Sequence, residues 1–257
     1  MPFAICRGCT VFLALYVALS LVGCAATTTG LSLEVPPMHT ASEFSDDEPI
    51  AAIDDPWEGF NRSMYRFNHY FDKYLFLPVV SGYEYITPIF VQKGVSNFFG
   101  NIGEVRTLYN SLFQLKGKKF LVTFGRFLTN STIGIGGLFD PATRIGLQKQ
   151  GEDFGQTLGY WGAPAGSYLV LPILGPNTLR SAGGLAVDGG IRYGAVNAID
   201  PFGHTEHGDV IMAGVSALEA IDLRHNEEFR YYESGYPFEY YMVRFLYCQS
   251  RELLIMK

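Results

Sequence analysis

Apolar residues return at steps of three and four through Phe60, Met64, Phe67, Phe71 and Tyr74. This period predicts a helix over residues 56–77 with one apolar face. Asn61, Arg62, Arg66 and Asp72 mark its other side. Asp55 stands where an N-cap is wanted, Pro56 at the first helical position and Glu58 as the acid of a capping box. Pro78 is expected to end the run. Further helices are expected near 88–99, 103–115, 117–130, 177–197, 206–222 and 237–254. In the third of these Leu121, Phe124 and Leu128 share a face that Phe120 and Phe127 widen. Between the helices lie two unusual loops. One is apolar and glycine-dense, from Ile133 to Phe139. The other, 151–176, is punctuated by Gly and Pro around Tyr168-Leu169-Val170-Leu171. That run reads as at most a short strand, too isolated to imply a sheet. Residues 25–54 carry Thr, Ser, Pro and acids with no apolar period, which reads as a flexible tether. No repeat of fixed period occurs. The fold class is all-α with long, unusually apolar loops.

Composition moves the reading toward a membrane. The 257 residues are 48% hydrophobic and only 17% charged, with 20 Phe and 16 Tyr but 2 Trp, which is more apolar than an ordinary soluble domain. The net charge of −6 offers no electrostatic attraction to nucleic acid. The first 23 residues read as a secretory signal: Arg7 is a short basic region and residues 10–22 an apolar core. That core is too short to span a bilayer, which needs about 20 residues. It ends in Leu21-Val22-Gly23-Cys24, similar to a bacterial lipobox. The implied chemistry is a lipid thioether on Cys24, cleavage before it and acylation of the new N-terminus; two or more chains anchor stably where one does not. Ala25, in place of the Asp that retains such proteins at the inner membrane in enteric bacteria, favours the outer membrane. The domains are therefore 1–23 signal, 24–54 tether and 55–257 folded body. Cys6 and Cys9 leave with the signal and Cys24 takes lipid. Cys248 is left without a disulfide partner, as a buried small hydrophobe.

Motifs for catalysis are lacking. The sequence holds no G-x-S-x-G, H-E-x-x-H or G-x-x-x-x-G-K-[ST], so no catalytic residue is assigned and passage of a ligand through this chain would be passive. His204, Glu206, His207 and Asp209 are ligand-type residues, but they read as a solvated loop before a helix rather than a metal site.

Asp55-Pro56-Trp57-Glu58-Gly59-Phe60-Asn61-Arg62-Ser63-Met64-Tyr65-Arg66-Phe67-Asn68 resembles the opening of the MlaA (VacJ) lipoproteins. The likeness continues through Ser96-Asn97-Phe98-Phe99-Gly100-Asn101-Ile102, through the run from Phe124 to Asp140, and through Glu152-Asp153-Phe154-Gly155-Gln156-Thr157-Leu158-Gly159-Tyr160-Trp161-Gly162. It covers about residues 54–225. The end departs: Ser234-Gly235-Tyr236-Pro237-Phe238-Glu239-Tyr240 stands where the family carries an Asp-Pro-Tyr-like turn.

The resemblance implies a ring of amphipathic, largely in-plane helices around a lipid channel, set in the periplasmic leaflet of the outer membrane. Misplaced phospholipid passes through it toward a periplasmic lipid-carrier protein, trimeric porins hold it in place, and lipid asymmetry is maintained. It implies no cofactor beyond the covalent lipid on Cys24, and no enzyme activity. In such a ring Phe60, Met64, Phe67 and Phe71 would face the membrane. Gly134, Gly136 and Gly137 would line the channel or allow close helix approach; a plain loop with positive φ accounts for them as well. Two other functions remain open at this point. An envelope scaffold that binds a porin would leave leaflet lipids unchanged when lost. A lipid hydrolase would release fatty acid.

Overall fold

The structure is a computed structural model that describes residues 53–257. The signal, the proposed lipid site Cys24 and all of the tether but Ile53 and Asp54 lie outside the described residues. Helix α1 covers Glu58–Phe71. Its N-cap position is Trp57, with no side-chain cap, and not Asp55 as expected. The Asp55 carboxylate turns inward instead, accepting from Asn61 Nδ2 at 2.7 Å, the Tyr240 hydroxyl at 2.6 Å and Arg244 at 2.9 Å. Three side-chain donors, Asn61 of α1 itself and two from the far end of the chain, outcompete the local backbone N–H.

The chain does not stop at Pro78. A widened, π-type turn follows over Asp72–Phe76, with the Leu77 N–H bonded to the Asp72 carbonyl. Helix α2, Leu77–Ile86, then starts afresh. The extra residue in the turn places Pro78 in the first turn of α2, where a missing N–H is tolerated. The run ends at Thr87, extended ahead of Pro88 as the residue before a proline prefers.

The two helices expected over 88–115 are one, α3, Ile89–Phe113. An interior glycine costs about 1 kcal/mol relative to alanine, which makes Gly100 and Gly103 look like a break. Asn101, Glu104, Thr107 and Ser111 are buried along one face of α3, and the contacts of that face outweigh the local cost. Helix α4, Gly117–Thr132, returns antiparallel to α3. Asn101 Nδ2 meets Ser131 Oγ at 2.9 Å, and Arg126 Nε meets Glu104 at 2.8 Å. Those two contacts fix the register of the pair.

Two short helices follow, each capped by an aspartate. These are α5, Pro141–Arg144, under Asp140, and α6, Phe154–Tyr160, under Asp153. The strand expected near Val170 has a partner after all. β1, Tyr168–Leu171, pairs antiparallel with β2, Gly175–Thr178, from Tyr168 opposite Thr178 to Leu171 opposite Gly175. The second strand reads as loop because it is Gly-Pro-Asn-Thr, poor β formers throughout save Thr. Helices α7, Leu179–Ile199, α8, Gly208–His225, and α9, Glu239–Met256, complete the body. Among the described residues no helix is long and apolar enough to cross a membrane.

Packing centres on four arrangements: α3 against α4, α6 on α7, α1 on the hairpin, and α9 against α6 and β2. Where α6 crosses α7, Gly155 and Gly184 meet backbone to backbone, and a Cβ on Gly155 would stand 3.0 Å from the Ser181 Cα. The interior is polar. Among the described residues, buried polar and charged side chains outnumber buried apolar ones, and half of the latter are tyrosines: Tyr65, Tyr168, Tyr232 and Tyr240. Cys248 is half-buried, not buried, and free; burial pushes its thiol pKa up.

Candidate functional site

A water-soluble domain puts its aromatic stripe inside. Here α1 turns its stripe out. Phe60 is 51% exposed and Phe67 44%, while Met64 and Phe71 are half-buried. Phe67 stacks on Phe71 with ring centroids 6.0 Å apart, and the exposed Tyr70 and Tyr74 stack 9° from parallel. Arg66 and Lys73 are exposed beside these tyrosines, with Lys73 Nζ 5.4 Å from the Tyr74 ring centre. One helix surface therefore carries phenylalanines, then tyrosines, then bases.

The side of α1 opposite the aromatic stripe, which Asn61 and Asp72 mark, faces inward and not toward headgroups or water. Asn61, Tyr65, Asn68 and Asp72 recur at helical spacing and are buried. Each has a partner that explains its burial. The Asn61 carboxamide donates to the Tyr168 carbonyl at 3.0 Å and accepts the Val170 N–H at 2.8 Å. Asn68 repeats this two turns along, donating to the Leu171 carbonyl at 2.9 Å and accepting the Ile173 N–H at 2.7 Å. Tyr65 donates to Glu239 at 2.6 Å, and Asp72 holds Arg224 through two bonds of 2.6 Å. Arg62 does not point to water either; its guanidinium lies over Tyr240 at 4.5 Å and Tyr241 at 4.9 Å.

The glycine-dense loop serves the same inversion. Gly134 is buried between the Asn130 and Phe139 backbones, and a Cβ on Gly137 (φ +94°) would come within 2.7 Å of the Asn101 Cβ. Gly136 (φ +67°) has open space beside it. These contacts press the loop onto α3 and leave Ile133, Ile135, Leu138 and Phe139 exposed. The Leu121, Phe124 and Leu128 face of α4 is exposed too, as are Tyr85, Ile86, Ile89 and Phe90 at the α2–α3 corner. Large apolar side chains are thus exposed on several elements, as on a surface that meets a membrane or a partner.

Sequence reasoning missed the residues that hold this shape. Arg126, buried, binds Glu104, Asp140 at 3.0 Å, Thr143 at 2.9 Å and the Leu147 carbonyl. Burial raises the Glu104 pKa even though Arg126 pulls it back. Burial works upward on Asp140 also, but bonds from Thr143, Arg126 and Asn130 hold it at about 2. Asp188 accepts from Tyr109 at 2.6 Å, Asn110 at 3.1 Å and the Phe154 N–H at 3.0 Å. Asp153 caps α6 and pairs with Arg251 through two bonds of 2.7 Å. The available signal was polar residues at helical spacing inside apolar motifs, such as Asn101 and Glu104.

Between α7 and α8 lies an open cavity of about 430 Å³ lined by Arg192, Tyr193, Val196, Met212 and Ser216, with Arg192 paired to Glu219 of α8. His204, Glu206, His207 and Asp209 stand exposed nearby. Among the described residues no group of three or more such side chains is placed to hold a metal ion.

Comparison with known proteins gives this arrangement relatives. The family model of the MlaA lipoprotein matches residues 53–254. The uncharacterized protein RP093 of Rickettsia prowazekii is 38% identical over 181 residues, 70% of each chain. The intermembrane phospholipid transport system lipoprotein MlaA of Haemophilus influenzae is 32% identical over 190 residues, 72% of this chain and 68% of that one. The protein of the same name from Escherichia coli K12 is 39% identical over 139 residues, and the match spans 55% of it. A solved chain from work on the structural basis for maintenance of bacterial outer membrane lipid asymmetry superposes with a TM-score of 0.59 at 29% identity, covering 79% of this chain and 99% of that one.

Proposed function

This chain belongs to the MlaA lipoprotein family, and from that we infer that it is an outer-membrane lipoprotein of intermembrane phospholipid transport. Its task is to conduct misplaced phospholipid from the outer leaflet toward a periplasmic lipid-carrier protein, which maintains the asymmetry of the membrane. One observation carries the reading: the body is inverted, with aromatic and aliphatic side chains outside and polar side chains within. Acyl chains cover such an exterior at no desolvation cost, whereas water does not.

The body lies in the periplasmic leaflet. Phe60 and Phe67 enter the acyl region with Met64 and Phe71 behind them. Tyr70 and Tyr74 sit at the headgroup boundary, where amphipathic rings collect, and Arg66 and Lys73 reach the phosphates. The lipid on Cys24 adds a second attachment. Trimeric porins hold the body in position. Passage is passive, along a route in which the open side of Gly136, between the packed Gly134 and Gly137, offers wall without side chain.

The test uses cells lacking the gene, with and without the gene restored. Phospholipase is added from outside and surface phospholipid hydrolysis is quantified. More accessible phospholipid in the deletion, reversed on restoration, is expected. No change, with porin levels normal and the protein expressed in the parent, overturns transport in favour of a scaffold that only binds a porin. Fatty acid released by the purified protein itself would point to a hydrolase.

A further inference from the structure

The antiparallel seam between α3 and α4 is lined by polar side chains. From α3 come Asn101, Glu104, Thr107, Ser111 and, just past its end, Gln114; from α4 come Thr123, Arg126 and Asn130. Glu152 and Gln156 close one end, where Lys119 and Lys116 both pair with Glu152. Ser111, Gln114 and Thr123 have no exposed surface, and the other uncharged side chains here are at most 8% exposed.

Several atoms in this seam are buried with no side chain or backbone group to bond. They are the Asn101, Gln114 and Gln156 carboxamide oxygens, one oxygen each of Glu104 and Glu152, the Ser111 and Thr123 hydroxyls, and Lys116 Nζ. Amide rotation does not cure this. Gln114 Nε2 already donates to Thr157 Oγ1 at 3.1 Å, and that hydroxyl donates onward to Asn110 Oδ1 at 2.7 Å, so the Gln114 oxygen is fixed facing away. A buried polar atom left unbonded loses its hydration with nothing in return. A row of them along one seam needs a mediator.

The chemistry of the row selects it. Five of the atoms accept only, two hydroxyls donate or accept, and one ammonium donates. The mediator must donate to oxygens and accept from Lys116. A metal ion would bind the oxygens through their lone pairs but could not accept from Lys116. It is also not called for by charge, because Glu104 is matched by Arg126 and Glu152 by Lys119, with Lys116 in excess. Water does both, with two to four partners at a buried site.

We propose that the α3–α4 seam is a built site for ordered internal water, a file that bridges Asn101 and Glu104 at one end to Gln114, Glu152 and Lys116 at the other. The two helices are then joined through water bridges rather than an apolar core. This inference is independent of the transport reading.

The test is an experimental structure of the full chain in detergent at a resolution that resolves solvent, with a second structure of Thr123→Val. Solvent peaks at hydrogen-bond distance, roughly 2.7–3.2 Å, from Thr123 Oγ1, Ser111 Oγ and the Gln114 oxygen, each bridging at least two groups, are expected. In Thr123→Val the peak beside residue 123 should vanish while those near Gln114 and Glu152 stay. Direct pairing of these side chains with one another, or empty density between ordered side chains, overturns the proposal. An anomalous signal from a soaked manganese or rubidium ion in the seam overturns it as well. If Thr123→Val does not fold, the wild-type density decides alone.

Discussion

Asn61 stands beside Val170 as a strand neighbour would: its carboxamide accepts the Val170 N–H at 2.8 Å and donates to the Tyr168 carbonyl at 3.0 Å. A two-stranded hairpin alone is marginal and leaves an edge of unpaired backbone groups. Helix α1 supplies the missing partner through two asparagines two helical turns apart. The membrane-type helix and the hairpin are therefore one unit, and each orients the other.

Asn61→Leu, close in size and without the carboxamide, is expected to leave a buried N–H and a buried carbonyl unpaired. At about 1–3 kcal/mol each, the thermal midpoint of the protein in detergent should fall by several degrees or more. Asn61→Ala should behave alike, whereas Ser63→Ala, on the exposed side of the same helix, should leave the midpoint near its original value. Circular dichroism melts of the three proteins decide it.

The four long helices from 117 onward were legible in the sequence because each is a periodic run bounded by Gly, Asp or Pro, whereas the short α5 and α6 lie in stretches that read as loop. The α3 continuity and the passage through Pro78 were not, since both local signals, an interior glycine and a proline, are overridden by contacts made elsewhere in the chain. The period of the Phe60–Phe71 stripe was readable too, but period alone does not say which side faces in. Asn61 and Asn68 look like surface residues until the backbone of residues 168–173 is laid against them. Family motifs located the network around Arg126 and Asp153 without revealing that its members bond one another.

Asp153 gives a dependence on acidity. Burial alone raises a carboxyl, but the paired bonds from Arg251, with that from Gln156, bring Asp153 down to about 2. A folded-state value below the unfolded one means the folded state holds its proton less tightly. Stability from this group is full above the unfolded value near 3.9 and is lost as pH falls toward 2. Asp140, also held at about 2, adds to the same limb. Melting midpoints in detergent between pH 6 and pH 2 should drop steeply below pH 4. In Asp153→Asn the protein should be less stable at pH 6 and should lose less on acidification. An unchanged acid limb in that variant would mean that the pair contributes nothing.

Arg66 and Lys73 sit at the edge of the exposed aromatic face, and neither is buried. Bases near an anionic surface contribute about 1 kcal/mol each. Arg66→Gln with Lys73→Gln is therefore expected to weaken binding to phosphatidylglycerol-containing vesicles by roughly ten- to thirty-fold. Vesicles of phosphatidylcholine alone should show a much smaller change, and added salt should erase the difference. Equal loss on both vesicle types would remove the phosphate-level placement of this edge. The melting midpoint is a control for Lys73→Gln alone, which should lie within about 0.5 kcal/mol, because Arg66 also hydrogen-bonds the buried Tyr232.

Cys24 and the apolar exterior make separable claims about attachment. If lipid on Cys24 were the whole anchor, Cys24→Ala exported behind an ordinary cleavable signal would be found in the soluble periplasm. The exposure of Phe60, Phe67, Leu121 and Phe124 argues for more. Each large apolar side chain moved from water to lipid contributes about 1.5–3 kcal/mol when fully covered, and several partly covered ones together hold the body without a tether. Cys24→Ala is expected to stay in the membrane fraction and to resist carbonate. Adding Phe60→Asp and Phe67→Asp, both on the outward face of α1, is expected to release a share of it with its helical circular dichroism intact. A fully soluble single variant would mean that the tether carries attachment and that a partner, not lipid, covers the aromatic face. A triple variant still fully retained would place the main membrane contact on the outward side chains of α4 and the α2–α3 corner instead.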